Sequence, residues 1–233
     1  MDRNKQHSPR WICAWLASVA LALASNQASA QKDLVVQLKD DPYRRVVFEN
    51  QLVRVWEVRV PVGESTPFHE HRNDQISVRI NSTVLENTPK GGLFSFSRDF
   101  SLEAGSVSFA EFTGSPYVHK ITPKGPNAHH VIEAELLAPP PVAERSEPTA
   151  ARTGYEVVLD KPRIRASRLI VEPGQTAELV TGRNSFVVVL KGGSAAPRDL
   201  KAGDVQWYGE PSRHSLRNNG PSRLELVEIE VKS

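Results

Sequence analysis

The feature that most constrains the fold of this chain is an internal repeat. The segment V-V-F-E-N-Q-L-V-R-V from Val46 resembles V-V-L-D-K-P-R-I-R-A from Val157. Further along, L-E-A-G-S-V from Leu102 resembles L-K-A-G-D-V from Leu200. Because each copy is long enough to form its own core, the repeat predicts two like domains in tandem.

Both copies are predicted to be built from β-strands. Apolar and polar residues alternate in short runs such as L-V-R-V-W-E-V-R-V (52–60) and H-V-I-E-A-E-L (130–136), and turn residues such as N-T-P-K-G-G (87–92) separate the runs. This pattern predicts an all-β sandwich or barrel. The Pro-rich segment 138–153 is typical of a linker, which places the domains at 46–137 and 154–233.

The first thirty residues are predicted to be a signal peptide. A basic start precedes the apolar run 11–24, and A-S-A ends at Ala30, where cleavage is expected. The only cysteine, Cys13, lies in this segment. Without residues 1–30, Lys plus Arg balances Asp plus Glu, so we expect no nucleic-acid partner. The expected location is periplasmic or secreted, with no membrane association after cleavage.

One stretch of the first copy, Gly63–Arg79, has an unusual density of polar side chains. On a strand, residues two apart share a face. The odd-numbered face would carry His69, His71, Asn73, Gln75, Ser77 and Arg79. Two imidazoles two residues apart on a strand can converge on one divalent ion. The even-numbered Ile76, Val78 and Ile80 form an apolar face instead, which fits either a dimer interface or packing between the two domains.

The second copy serves as an internal comparison for this polar face. Extending the alignment from Val157 without a gap places apolar or small residues opposite it: Val180 for His69, Gly182 for His71, Phe186 for Gln75, Val188 for Ser77 and Leu190 for Arg79. We therefore expect the second copy to fill its interior with side chains, and the first copy alone to carry a site.

These residues resemble the cupin motifs. Gly63, five residues, H-E-H at 69–71, three residues and Gln75 match the first motif, although cupins usually have glutamate at the last position. Gly105 opens a segment like the second motif, and P-Y-V-H ends it at His119. The resemblance covers Val46–Leu136 and, through the repeat, the second copy.

The resemblance implies two tandem cupin (jelly-roll) β-barrels, the second one degenerate. It also implies that His69, His71, Gln75 and His119 bind a divalent transition metal: Fe, Mn, Ni, Zn or Cu. Two alternatives stay open. Gln75 could be a hydrogen-bonded interior residue beside a three-histidine site. His119 could be structural, because a histidine also occurs at position 214 in the second copy.

Other residues are weaker candidates. Arg79, with Ser77, could bind a substrate anion, or Arg79 could form an ion pair or face outward. Tyr117 and Glu111 are candidate catalytic residues without further support from the sequence. His129 and His130 are expected at the surface, with the alternative that one of them lines the barrel mouth or supports a metal-binding histidine.

Three hypotheses follow for the function. The first is an exported, metal-dependent enzyme, dioxygenase-like or otherwise, that acts on a small anionic or carbonyl compound. The second is a non-catalytic protein that binds a metal or a small ligand, and the third is a structural scaffold, including a homodimer formed through the apolar face. The polar interior of the first copy counts against the third hypothesis.

Overall fold

The computed structural model describes residues 34–91, 97–139 and 153–232. The predicted signal peptide and most of the predicted linker lie outside these residues. The described chain consists of eighteen β-strands and one turn of 3-10 helix, Leu38–Asp40, which confirms the all-β prediction. Within this part of the chain, no helix has the length and apolar character needed to span a membrane.

The first ten strands form two five-stranded sheets. The strands are β1 (Val35–Gln37), β2 (Arg44–Glu49), β3 (Val53–Val60), β4 (Phe68–His71), β5 (Gln75–Arg79), β6 (Thr83–Pro89), β7 (Arg98–Leu102), β8 (Val107–Ala110), β9 (Tyr117–Pro126) and β10 (His129–Leu136). The outer sheet has the order β1-β4-β9-β6-β7 and the inner sheet the order β2-β3-β10-β5-β8. The two sheets form the first barrel, whose strands begin ahead of the expected start at Val46. Strand β6 also extends to Pro89, through residues that the sequence placed in a turn.

The remaining strands form the second barrel. They are β11 (Tyr155–Asp160), β12 (Ile164–Val171), β13 (Thr176–Thr181), β14 (Ser185–Lys191), β15 (Ala195–Ala196), β16 (Val205–Tyr208), β17 (Ser212–Asn218) and β18 (Leu224–Val231). Its inner sheet, β11-β12-β18-β14-β16, repeats the strand order of the first. Its outer sheet has three described strands, β13-β17-β15, against five in the first barrel.

The two inner sheets pack against each other, so each is covered on both faces. Ile76, Val78 and Ile80 lie in one apolar cluster with residues of the second barrel, including Phe186 and Leu190. This contact explains why β10 and β18 are buried along almost their whole length. Of the two alternatives for the apolar face, packing between the barrels is the one observed. An ion pair from Arg163 Nη1 to Asp74 Oδ2, at 2.5 Å, also joins the two barrels.

The gapless alignment of the polar face is wrong by one residue. His69 pairs with His119 on β9, whereas the residue paired with His214 on β17 is Leu179. Gln75 and its counterpart Ser185 likewise occupy matching ladder positions. The second copy therefore lacks one residue after the turn that follows β12. Because a shift of one residue exchanges the two faces of a strand, Phe186, Val188 and Leu190 lie between the barrels and not in the interior of the second barrel.

In the corrected register, the interior residues of the second barrel are mostly apolar. They are Leu179 for His69, Thr181 for His71, Ser185 for Gln75, Val187 for Ser77 and Val189 for Arg79. The conclusion that the polar set is confined to the first copy therefore stands, with different counterpart residues.

Candidate metal centre

Three histidines converge inside the first barrel. His69 and His71 lie on β4, and His119 lies on the adjacent strand β9, directly paired with His69. One ring nitrogen from each lies within 4.8 Å of the others. Among the described residues, this is the group of His, Cys, Asp and Glu side chains that could hold a metal ion. A divalent metal site at these histidines is the expectation that the geometry supports.

The far nitrogen of each ring is held by an oxygen. Because an amide oxygen only accepts hydrogen bonds, each Nδ1 must carry the ring proton, and each Nε2 keeps its lone pair. Such partners fix the tautomer and orientation of metal-binding histidines. The acceptors are the Pro67 carbonyl at 3.1 Å for His69, Gln75 Oε1 at 2.9 Å for His71 and Asn87 Oδ1 at 2.5 Å for His119.

Two of the Nε2 atoms lie close enough to share a bound ion. Those of His71 and His119 are 3.0 Å apart, and two lone pairs facing each other at this distance repel. A divalent ion held by both nitrogens would relieve this repulsion. The donor set suits a first-row transition metal, since neutral imidazole binds Fe, Ni, Cu and Zn.

Burial keeps the triad neutral. It is the main cause that lowers the pKa of His71 to about 4 and of His119 to about 3, and it lowers the pKa of His69 further. The positive charge of Arg44 acts in the same direction on all three. Metal binding requires neutral histidine, so near pH 7 the triad is already in the binding form.

A buried arginine contacts the triad. Arg44 Nη2 lies 3.3 Å from His69 Nε2, the atom that would bind the metal. The guanidinium also donates from Nε to Asp41 Oδ2 at 3.2 Å and from Nη1 to Glu133 Oε2. Burial is the largest influence on the pKa of Glu133 and raises it, but the charge and hydrogen bond of Arg44, together with His71 and His129, lower this pKa to about 2. The buried guanidinium of Arg44 thus lies between the carboxylates of Asp41 and Glu133, and it also donates to the Nε2 lone pair of His69.

Sequence reasoning missed Asp41, Arg44, Asn87 and Glu133. Two of them lie ahead of the expected domain start, and Asn87 was assigned to a turn. Glu133 could have been found, because it shares the parity of Val131 on β10, whose side chain lies in the interior cluster of the first barrel.

Gln75 contacts the far side of His71. Its Oε1 accepts from Nδ1 of that ring, and its Nε2 donates to Ser77 Oγ at 3.3 Å. This geometry matches the alternative of an interior residue beside a three-histidine site. As a fourth ligand, Gln75 stays a prediction.

Arg79 faces the barrel interior, and its guanidinium is only partly used. Nη1 donates to Ser108 Oγ at 2.8 Å, while Nε is buried without a hydrogen-bond partner among the described residues. Burial lowers the pKa of Arg79. A free, desolvated N–H next to a polar interior suits anion binding, and the roles of Arg79 and Ser77 toward a substrate stay predictions.

The two weak catalytic candidates lie in different environments. The Tyr117 hydroxyl accepts from Asn87 Nδ2 at 2.8 Å, and its ring lies 4.8 Å from that of His119. Tyr117 thereby supports His119 through Asn87. Glu111 is exposed, and no hydrogen bond between described residues connects it to the triad. The catalytic roles of both remain untested.

The expectation that His129 and His130 lie at the surface is wrong, because each is only 4% exposed. Burial lowers the pKa of His129 to about 4, while the charge of Glu133 raises it and that of Arg79 lowers it. His130 Nε2 lies 3.1 Å from Glu57 Oε1, and its ring touches Gly203 of the second barrel. His130 was misjudged because the second barrel covers its face of the sheet, whereas His129 shares the face of Val131 and lies in the interior of the first barrel.

No protein-family model matches the chain, and no curated protein matches it in sequence. Solved structures do match its fold. AerE from Microcystis aeruginosa is 10% identical with a TM-score of 0.54, over 83% of this chain and 99% of that one. A cupin 2 conserved barrel domain protein from Leptotrichia buccalis is 12% identical with a TM-score of 0.50, over 81% and 88%. A variant of salicylate 1,2-dioxygenase from Pseudoaminobacter salicylatoxidans is 10% identical with a TM-score of 0.50, over 77% and 71%.

Proposed function

Because this chain has the cupin fold in two tandem barrels, with a histidine triad in the first, we propose that it is an exported, metal-dependent enzyme acting on a small anionic or carbonyl compound. The observation that carries the proposal is the oriented triad. Each Nδ1 of His69, His71 and His119 is held by an oxygen, so each Nε2 keeps its lone pair, and those of His71 and His119 face each other at 3.0 Å.

The residues around the triad suit an anionic substrate. When bound, the metal would supply Lewis acidity or, if it is iron, oxygen chemistry. Arg79 offers a buried N–H with no partner among the described residues. Phe112 stacks on His71 with ring centroids 5.0 Å apart and provides an apolar contact for the body of the substrate. The likeness to salicylate 1,2-dioxygenase makes aromatic carboxylates the first class to screen.

Elemental analysis of the purified chain tests the metal site. We expect about one transition metal per chain, lost in His71→Ala and kept in the matched control His214→Ala. Oxygen uptake with carboxylates and diketones then tests catalysis. Two metals per chain would contradict a single site, and no metal after incubation with Fe(II), Mn(II), Ni(II) and Zn(II) would exclude the proposed enzyme.

Export belongs to the same proposal. In a bacterial host that secretes the chain, cleavage after Ala30 should leave Gln31 as the first residue of the mature protein, and N-terminal sequencing measures this directly. A chain that keeps Met1 in the cytoplasmic fraction would contradict export.

A second candidate, a non-catalytic binding protein, is favoured by the contact between Arg44 and His69. The guanidinium donates to one Nε2 lone pair and so satisfies part of the triad without a metal. A protein that retains metal but consumes neither oxygen nor any carboxylate or carbonyl substrate would support this candidate over the enzyme.

A further inference from the structure

The second barrel is hollow, contrary to the expectation that side chains fill it. A cavity of about 260 Å³ lies inside it. Its wall is apolar and is formed by Leu179, Val187, Val189, Leu200, Leu216 and Leu226. These residues belong to the apolar cluster of this barrel, which is separate from the cluster between the barrels.

The cavity follows from differences between the two copies. In the first barrel, imidazole, amide and guanidinium groups occupy the interior, while leucine and valine replace most of them in the second. The described outer sheet of the second barrel also lacks counterparts of β1 and β7, and only two residues, Ala195–Ala196, stand in for β6. Fewer described strands therefore close this barrel.

The polar residues that line the cavity include a cation, Arg198, and a carboxylate, Asp204, whose Oδ2 accepts from the backbone N–H of Lys201 at 2.9 Å. Tyr208 lines the cavity. The matching residue of the first barrel is Ala110. Its ring centroid lies 5.7 Å from that of His214. Burial raises the pKa of Tyr208, so the phenol remains a hydrogen-bond donor near pH 7. Arg198, which donates to Gln206 Oε1 at 3.2 Å, adds a positive charge to the lining.

We propose that the second barrel is a metal-independent binding site for a small aromatic monoanion, such as an aromatic carboxylate. A dry cavity of about 150 Å³ lined by aliphatic and aromatic side chains binds benzene. The larger cavity here therefore has room for a two-ring body, or for one ring with a short side chain. The apolar wall takes the rings, and Arg198, Tyr208 and His214 complement a carboxylate. This site is separate from the triad and does not depend on the proposed enzyme.

Isothermal titration of the full chain with naphthoate, and with uncharged naphthalenemethanol, tests the proposal. In His71→Ala, whose triad is disrupted, we expect one naphthoate per chain, and wild type should bind naphthoate at this site with the same affinity. Leu200→Trp should weaken binding of both probes at least tenfold, because the indole fills the cavity. The matched control Leu102→Trp, at the corresponding position of the first barrel, should leave binding unchanged.

The exposed Arg198 provides a second variant that does not disturb the core. Arg198→Gln should weaken naphthoate binding by about 2–5-fold, the range of an exposed charge pair, and leave naphthalenemethanol unaffected. Absence of naphthoate binding, or binding by the double variant His71→Ala/Leu200→Trp as tight as by His71→Ala, would overturn the proposal. So would binding that is lost in His71→Ala, since the site would then be the triad.

Discussion

Replacing Arg44 with methionine tests whether the buried ion pairs of Arg44 with Asp41 and Glu133 stabilise the fold. The side chain of Arg44 is 2% exposed, and those of its partners Asp41 and Glu133 are 0% and 11% exposed. Removing one partner of a buried ion pair leaves an uncompensated charge, at a cost of about 3–5 kcal/mol. Methionine keeps most of the buried aliphatic volume. We therefore expect Arg44→Met to lower the free energy of unfolding by about 3–5 kcal/mol at pH 7.

Urea denaturation of chelator-treated protein, followed by tryptophan fluorescence, measures this loss. Trp56 is a suitable reporter because it is 2% exposed and donates to Glu135. The double variant Arg44→Met/Glu133→Gln should recover part of the stability, since it also removes one of the stranded carboxylates. Arg183→Met is the control: its ion pair with Glu210 is exposed, so its loss should stay below about 1 kcal/mol.

Adding metal to the variant and to wild type gives a second test of the same ion pairs. A divalent ion at the triad returns positive charge beside both carboxylates, and Arg44 no longer donates to His69 Nε2 in the variant. Saturating metal should therefore stabilise Arg44→Met more than wild type, through the usual linkage of binding to folding. A loss below about 1 kcal/mol in the metal-free variant would refute the reasoning, because it would show that the charges are effectively solvated.

Three further predictions concern the ligand support, the shared core and acid stability. Asn87→Ala frees the His119 ring and should weaken metal binding by about 10–100-fold in chelator competition, whereas the neighbouring Thr88→Ala should not. Phe186→Ala should cost about 3–5 kcal/mol and lower the calorimetric transition of the whole chain; two separate transitions with only one displaced would contradict a shared core. The folded pKa values of the triad lie below the unfolded value of about 6.5, so metal-free stability should be full above pH 6.5 and fall toward pH 4, by up to about 1.4 kcal/mol per pH unit for each histidine. Urea midpoints measured from pH 7 to pH 5 check this, and a flat profile would count against buried, neutral histidines.

Local sequence patterns were sufficient to predict the strands and the face of each strand that points into the barrel. Alternation with period two identified the strands and placed His69, His71 and Gln75 on the interior face. The spacing to His119 followed from the cupin resemblance. The structure confirms the all-β class and the cupin fold. These properties could be predicted because the face on which a strand residue lies follows from its position along the strand.

The alignment between the two copies was wrong after Gly174, because it depended on the exact number of residues in the turn. One missing residue after the glycine turn at Gly174 shifts the whole following strand, and with it every side chain changes face. The gapless alignment placed Phe186 in the interior of the second barrel, although it packs between the barrels. Only the pairing of β14 with β18 decided this, since hydrogen bonds between strands fix the register.

By itself, the sequence determined that two copies of one β-fold exist and that the first carries a polar interior with a histidine triad. The tertiary structure decided which partners surround that triad. Arg44, Asn87 and Glu133 come from three different strands and meet only when the barrel closes. It also decided that the second barrel keeps a cavity, because the space left inside depends on how the strands close around it. Periodicity along one strand carries no information about either property.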